Sequence, residues 1–351
     1  MAHSEQRYAS MQPANPLGVE SLAALQAREA RRRLHLRRLL MRSPRTVVDV
    51  LGRMMRLPAA VALTAPVFCG AMLAWWEVGA FNGLALALNV AATLTLALGV
   101  HALSEYRDVK RAFQTNATDA SDPLATGYGL MARGYIDPDI ALNLGHILLA
   151  ISALCGLWLP IIAGWPPLFF AGLSVLLVYF YANPPLRYGD RGWGLGEAGL
   201  FVGYGLLQTV NAYYVQSQAI SWRVLVVSIP LGLLCVFVQH NFNLLFERRD
   251  WLMRKRTLAV THGPLRGLDL SALLVVTVHI AIVAIVSLAR LPFSALLTLA
   301  ALPVALGAFS RIDRERLAME DLFLVYRAGV NAMIWTGLLF CLALITARHW
   351  G

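Results

Sequence analysis

Residues 84–108 read LALALNVAATLTLALGVHALSEYRD: no Asp, Glu, Lys or Arg occurs from Phe81 to Ser104, and then Glu105, Arg107 and Asp108 arrive within one turn. An uncharged apolar run of that length matches the hydrocarbon core of a bilayer, which takes about 20 residues of α-helix to cross. Eight further windows approach the same length and composition, so that the full set lies near 57–76, 81–103, 138–160, 165–182, 195–215, 222–245, 268–289, 292–310 and 325–346. Short Pro- and Gly-marked links such as Gly164-Trp165-Pro166-Pro167 and Arg290-Leu291-Pro292 join several neighbours as helical hairpins. The expected fold class is therefore all-α: a polytopic membrane protein whose nine transmembrane helices form a bundle, preceded by a basic N-terminal tail over residues 1–51, with the membrane domain over 52–351.

Composition agrees. Of 351 residues, 58% are apolar and 14% charged, where a soluble domain carries about 25% charged residues. The net charge of +10 would suit a nucleic-acid partner, but its placement answers to topology instead. Nearly all Lys and Arg fall in the tail and in the loops 104–137, 183–194, 246–267 and 311–324, while the alternate loops hold little beyond Arg223, Arg290 and Arg348. By the positive-inside rule the first set faces the cytoplasm. An odd number of crossings then places the N-terminus inside and the C-terminus outside, as expected for a protein of the cell inner membrane, and no nucleic acid is expected as a partner. Residues 23–55, with Arg31, Arg32, Arg33, Arg37 and Arg38 beside leucines, read either as a basic amphipathic helix on anionic headgroups or as a solvated tail. Cys69, Cys155, Cys235 and Cys341 lie in apolar stretches without metal-ligand spacing.

Two cytoplasmic loops repeat one pattern. His101-Ala-Leu-Ser-Glu105-Tyr-Arg107-Asp108 and Asn243-Leu-Leu-Phe-Glu247-Arg-Arg249-Asp250 both carry Glu-x-Arg-Asp at the end of an apolar window, and basic residues follow each: Lys110 and Arg111, then Arg254, Lys255 and Arg256. If the helix continues through each motif, positions i, i+4 and i+7 share a face, which aligns His101, Glu105 and Asp108, and likewise Asn243, Glu247 and Asp250. Carboxylates at that spacing suit divalent cations that hold a diphosphate, because Mg²⁺ commonly binds through one or two carboxylates and completes its shell with phosphate oxygens. The neighbouring cations would neutralise the remaining phosphate charge. The bland reading is that solvated acids at a helix end pair with nearby arginines; the repetition of a whole face speaks against it.

With those motifs the chain resembles the UbiA superfamily of intramembrane prenyltransferases over about residues 52–346, closest in pattern to the branch that prenylates 1,4-dihydroxy-2-naphthoate for menaquinone. Ser104-Glu105-Tyr106-Arg107-Asp108 occupies the family's first Asn-Asp-x-x-Asp motif, and the Gly-rich stretch Asp122–Ile136 follows it. Tyr181-Ala-Asn-Pro-Pro-Leu-Arg187 with Gly194-Leu-Gly-Glu197 resembles a second block, and Lys255-Arg256-Thr257-Leu-Ala-Val260 a third. The resemblance implies two related halves, Mg²⁺ as cofactor with two or more ions, a polyprenyl diphosphate and a small aromatic acceptor as substrates, and membrane lipids as surroundings.

The implied site comprises Glu105, Asp108, Glu247 and Asp250 as catalytic metal ligands, with Asp119 and Asp122 as additional ligands and Lys110, Arg111, Arg187, Lys255 and Arg256 on the diphosphate. His101, His240, Asn243 and Tyr181 are further candidates. Departures from the pattern put the metal set in question: His101 and Ser104 stand where the family has Asn, and Phe246 stands where the second motif has its leading Asp. A terpene cyclase of the same architecture, an ion-coupled transporter and an inactive family member are the rival readings.

Overall fold

The computed structural model describes residues 44–115, 117 and 126–350. Among these residues the regular elements are all helical. An amphipathic helix α1 (Pro44–Met54) leads through Arg56, in the left-handed region at φ 50°, to α2 (Leu57–Ala62) and α3 (Ala65–Val78), which together make the first run. Gly79 at φ 78° closes α3, its N–H reaching Trp75 O; that left-handed C-cap is what lets the chain reverse. Next come α4 (Gly83–Thr115), α5 (Gly127–Ala132), α6 (Pro138–Ala163) and α7 (Pro166–Ala182). Asp137 caps α6 by accepting from the Asp139 N–H at 2.8 Å, with Pro138 in the first turn, a strong helix start.

The second part contains α8 (Leu195–Leu200), a π-helical turn (Phe201–Leu207) and α9 (Gln208–Ser217), then α10 (Trp222–Leu245), α11 (Glu247–Leu252), α12 (Leu258–Leu288), a 3₁₀ segment (Phe293–Ala301), α13 (Leu302–Leu306) and α14 (Met319–Trp350). Seven runs among the described residues are long and apolar enough to cross a membrane: 57–78, 83–115, 138–163, 222–245, 258–288, 293–311 and 319–349. The other two expected windows are helical but different in kind. α7 has 17 residues, and 195–217 is divided by the π turn, where a Cβ on Gly205 would overlap Gly232 of α10. Close approach of two glycines there lets α10 lie deep in the bundle, against α12, the π turn and α14.

The bundle is turned outward in the manner of a protein whose solvent is lipid. Trp158, Ile161, Ile280 and Leu288 are exposed, whereas buried positions include Asn89, Thr93, Gln208 and Asn211. In hydrocarbon a polar group needs a partner within the protein, and Thr93 accordingly donates to Gln208 Oε1 at 3.0 Å while Gln208 donates to Ser174 Oγ at 2.9 Å.

One local expectation is corrected. α4 does run unbroken through Glu105 and Asp108, but the helix carrying the second motif stops at Phe246 (φ −107°, ψ 18°) and restarts as α11. The even face through Asn243, Glu247 and Asp250 therefore does not form. Phe246, 1% exposed, packs inward on Phe242 at 4.8 Å between ring centroids, and burial of that ring sets the break.

Candidate functional site

Two segments distant in sequence meet at the end of the bundle where α4 finishes. Asp108, one turn beyond Ser104 on α4, is buried, as are Arg249 and Asp250 on α11 and Lys255 in the link to α12. Lys255 Nζ lies 2.7 Å from Asp108 Oδ1 and 3.2 Å from Asp250 Oδ1. Arg249 Nη2 reaches both acids as well, at 3.3 Å to Asp108 Oδ2 and 3.3 Å to Asp250 Oδ1. Two carboxylates from two helices thus share two cations. Burial by itself would lower the pKa of the Lys255 ammonium, but Asp108, Asp250 and Asp190 outweigh it and hold it above the ordinary lysine value.

Local chemistry explains why the lysine sits there. Thr257 caps α12, its hydroxyl accepting from the Val260 N–H at 3.3 Å, and the Lys255 N–H donates to Asp250 O at 2.9 Å. The Arg256 N–H donates to Asp190 O at 3.0 Å, and Asp190 also pairs with Arg111 of α4. Burial pushes the Asp190 carboxyl upward, against the pull of Lys255 and Arg111. The block around Asp190 is packed by small residues: a Cβ on Gly189 would stand 2.7 Å from the Tyr181 ring and one on Gly196 3.0 Å from it, and Tyr181 meets Tyr188 edge-on at 5.8 Å. Gly196 is the second glycine of the Gly-x-Gly-Glu pattern, and Gly189 precedes that pattern by five residues.

Glu105 has a separate set of partners. It is fully buried, accepts from Arg56 Nε at 2.9 Å and from Arg56 Nη2 at Oε1, and takes the Tyr128 N–H at 2.8 Å on Oε2. Both its oxygens are engaged, and they bind the start of α2 and the start of α5 to α4. A Cβ on Gly127 would stand 2.8 Å from Glu105 Cβ, so glycine is required for that approach. Arg56 lies 3.6 Å over the Phe242 ring and Arg249 4.1 Å over Phe246. The residue that replaces an acid of the second motif therefore serves as the platform for a site arginine.

Below the charges opens a cavity of about 600 Å³ of empty space, part of it open to solvent, between α2, α4, α7, α8, α10 and α14. Ala59, Leu63, Val178, Leu200, Val238 and Phe242 give it an apolar wall, and Arg56, His101, Ser104, Tyr181 and Gln239 are among its polar members. His101 Nδ1 is 2.9 Å from Met55 O.

The remaining expected residues are placed as follows. Arg111 and Lys255 stand in the ion-pair network; Lys110 is exposed, 4.9 Å from the Tyr106 ring, and the Arg256 side chain is exposed. Arg187, at φ 44° in the link after α7, is half-buried and forms no ion pair among the described residues. Asn243 is buried and accepts from Gln239 Nε2 at 2.8 Å. His240 faces away from the cavity toward Gly267 O at 3.0 Å. Glu247 is half-buried and forms no ion pair among the described residues; burial, and then Asp250, raise its pKa. Asp119 and Asp122 lie outside the described residues. Arg56, Arg249, Asp190 and Gln239 belong to the site and are not singled out by the sequence patterns, although Arg249 stands within the second Glu-x-Arg-Asp motif and Asp190 between Arg187 and Gly194.

A divalent cation fits this donor set in a limited way. Asp108 and Asp250 direct oxygens at one cation position, the one Lys255 Nζ takes, yet among the described residues no three His, Cys, Asp or Glu group as a metal site. Such a pair can hold Mg²⁺ whose other ligands come from phosphate or water.

Comparison with known proteins gives consistent results. The model of the UbiA prenyltransferase family matches residues 63–336. The chain is 28% identical over 281 residues to a 1,4-dihydroxy-2-naphthoate octaprenyltransferase of Mycobacterium leprae, covering 80% of this chain and 90% of that one. It is 30% identical over 217 residues to the enzyme of the same description from Haemophilus influenzae, covering 60% and 67%. A 2-carboxy-1,4-naphthoquinone phytyltransferase of Synechocystis is 27% identical over 175 residues, 50% of this chain and 56% of that protein's length. Among solved structures, a UbiA homolog from Archaeoglobus fulgidus bound to GPP and Mg²⁺ superposes with a TM-score of 0.59 at 14% identity, over 84% of this chain and 99% of that one, a likeness of fold.

Proposed function

The chain belongs to the UbiA prenyltransferase family, and from that premise we propose that it transfers a prenyl group from a polyprenyl diphosphate to an aromatic acceptor, a hydroxylated naphthoate, inside the membrane. The observation that carries the assignment of the site is the pair Asp108 and Asp250, brought from two helices to one cation position one turn above an apolar cavity.

The chain's own residues divide the work. Asp108 and Asp250 would hold Mg²⁺, and the metal when bound would neutralise charge that develops on the departing diphosphate. Lys255, Arg249 and Arg111 supply positive charge around the same point, with Lys110, Arg187 and Arg256 nearer the rim. Glu105 is left out of the ligand pair, since Arg56 and the Tyr128 N–H already hold both of its oxygens; its role is to fix α4 against α2 and α5. The apolar wall takes the prenyl chain and keeps water from the allylic carbon as its bond to the diphosphate oxygen breaks. Gln239, His101 and Tyr181, polar residues of the cavity lining, orient the acceptor, whose ring carbon forms the new C–C bond with the allylic carbon and releases its proton, or its carboxylate as CO₂, to restore aromaticity. With the acids on the cytoplasmic side, the N-terminus lies inside, and counting 166–182 and 195–217 as crossings puts the C-terminus outside.

Incubation of the purified protein with Mg²⁺ and a panel of prenyl diphosphates, with and without dihydroxynaphthoate or hydroxybenzoate, tests the proposal through diphosphate release and prenylated product. Release that requires the naphthoate is the expected outcome. Release without acceptor would make the protein a cyclase or hydrolase, and no release across the panel would end the enzyme reading.

A further inference from the structure

We propose that Lys255 holds the place of the metal in the substrate-free protein, so that this chain binds a divalent cation only together with a diphosphate. The inference rests on the function proposed above and adds an order of binding to it.

The geometry supplies the first reason. Lys255 Nζ and Arg249 Nη2 occupy the carboxylate oxygens that a metal would need, at 2.7–3.3 Å, and all four side chains are no more than 9% exposed. Water has little access to screen or replace these contacts. The donor count supplies the second. Two carboxylates without a third acid or histidine among the described residues leave most of an octahedral shell to be filled from outside.

Charge balance supplies the third reason. Two acids facing two cations form a neutral group, so a divalent ion arriving alone would add two positive charges to a buried, already balanced cluster. A diphosphate arriving alone would set several negative charges against Asp108 and Asp250. Arriving together they bring opposite charges, and the phosphate oxygens offer Lys255 and Arg249 new anionic partners as the carboxylates turn to the metal. The exchange needs no backbone movement. Lys255 N–H is fixed to Asp250 O at 2.9 Å and Arg256 N–H to Asp190 O at 3.0 Å, which leaves the flexible four-carbon stem of the lysine to swing.

The test uses the full chain in detergent and Mn²⁺ as a spectroscopic probe, with electron paramagnetic resonance reporting bound ion directly. Mn²⁺ is titrated alone and then with inorganic pyrophosphate, each corrected for the protein-free mixture. Wild type should bind Mn²⁺ at least tenfold more tightly with pyrophosphate than without it. Lys255→Gln should bind Mn²⁺ alone at least tenfold more tightly than wild type and show a smaller pyrophosphate effect, and Lys255→Arg should keep the wild-type pattern, with thermal melts confirming that each variant is folded. The wild-type titrations, with Asp108→Asn as the control for the site, are decisive even without the Lys255 variants. Tight binding of Mn²⁺ alone, lost in Asp108→Asn, would overturn the inference and leave the proposed function standing. Absence of Mn²⁺ binding under every condition would overturn both.

Discussion

Acidic side chains are held at both ends of the bundle, and the two ends hold them differently. At the end opposite the candidate site, Glu77 of α3 accepts from Arg223 Nη1 at 2.6 Å and Ser221 Oγ at 2.9 Å on one oxygen and from Tyr213 OH at 2.8 Å on the other. Arg223 Nε in turn donates to Ala289 O at 2.8 Å. One acid there has three donors, and its cation has a further acceptor, so nothing remains to exchange. At the other end two acids compete for the same two cations, and the cluster stands over an open cavity. Glu77 therefore fastens helix ends, whereas Asp108 and Asp250 form contacts that an incoming anion and cation can replace. The same residue types serve stability in one place and chemistry in the other because of how many partners each oxygen has.

Substitutions can break that contrast, and the largest effect is expected at the mouth. Asp108→Ala should lower turnover per folded molecule by about 10³-fold, in the range seen when one preorganised electrostatic group is removed, as read by diphosphate release normalised to folded protein. Glu77→Ala should act on the other quantity: a loss of about 1–3 kcal/mol in stability, below the range for a fully buried pair because the partners are partly exposed, read by thermal denaturation in detergent with turnover within about twofold of wild type. Gly127→Ala tests the link between them, because its Cβ would stand 2.7 Å from Met54 Cγ and 2.8 Å from Glu105 Cβ. Overpacking of that kind costs about 1–3 kcal/mol, and the displaced Glu105 should lower turnover several-fold, separable by measuring melts and kinetics on one preparation. The smallest effect belongs to Tyr188→Phe, which removes the hydroxyl donated to Leu177 O. It should cost about 1 kcal/mol with turnover unchanged, by the same two assays.

Much of this arrangement could be read from the sequence, and what could not has a physical reason. Apolar windows report bilayer crossing directly, and α4, α6, α10, α12 and α14 fall on them. The windows at 165–182 and 195–215 were harder, since a 17-residue helix and a π turn held by a Gly–Gly contact depend on neighbours rather than on local composition. The repeated Glu-x-Arg-Asp led to Asp108 and Asp250, and the Lys-Arg-Thr block led to Lys255, whose aim is set by the Thr257 cap two residues on. The partners themselves were hidden. Arg56 meets Glu105 across 49 residues, Arg111 meets Asp190 across 79 and Arg249 meets Asp108 across 141, and helical spacing carries no information at such separations. For the same reason helical spacing puts Asn243, Glu247 and Asp250 on one face, although the helix breaks between them at the buried Phe246.

The difference between the two ends is tested most directly by diphosphate release per folded molecule in Asp250→Asn beside Glu77→Gln, with Mg²⁺, geranyl diphosphate and dihydroxynaphthoate. Release reduced at least 100-fold in Asp250→Asn and close to wild type in Glu77→Gln is the predicted result. Equal rates in the two variants would contradict the assignment of diphosphate departure to the Asp108–Asp250 cluster.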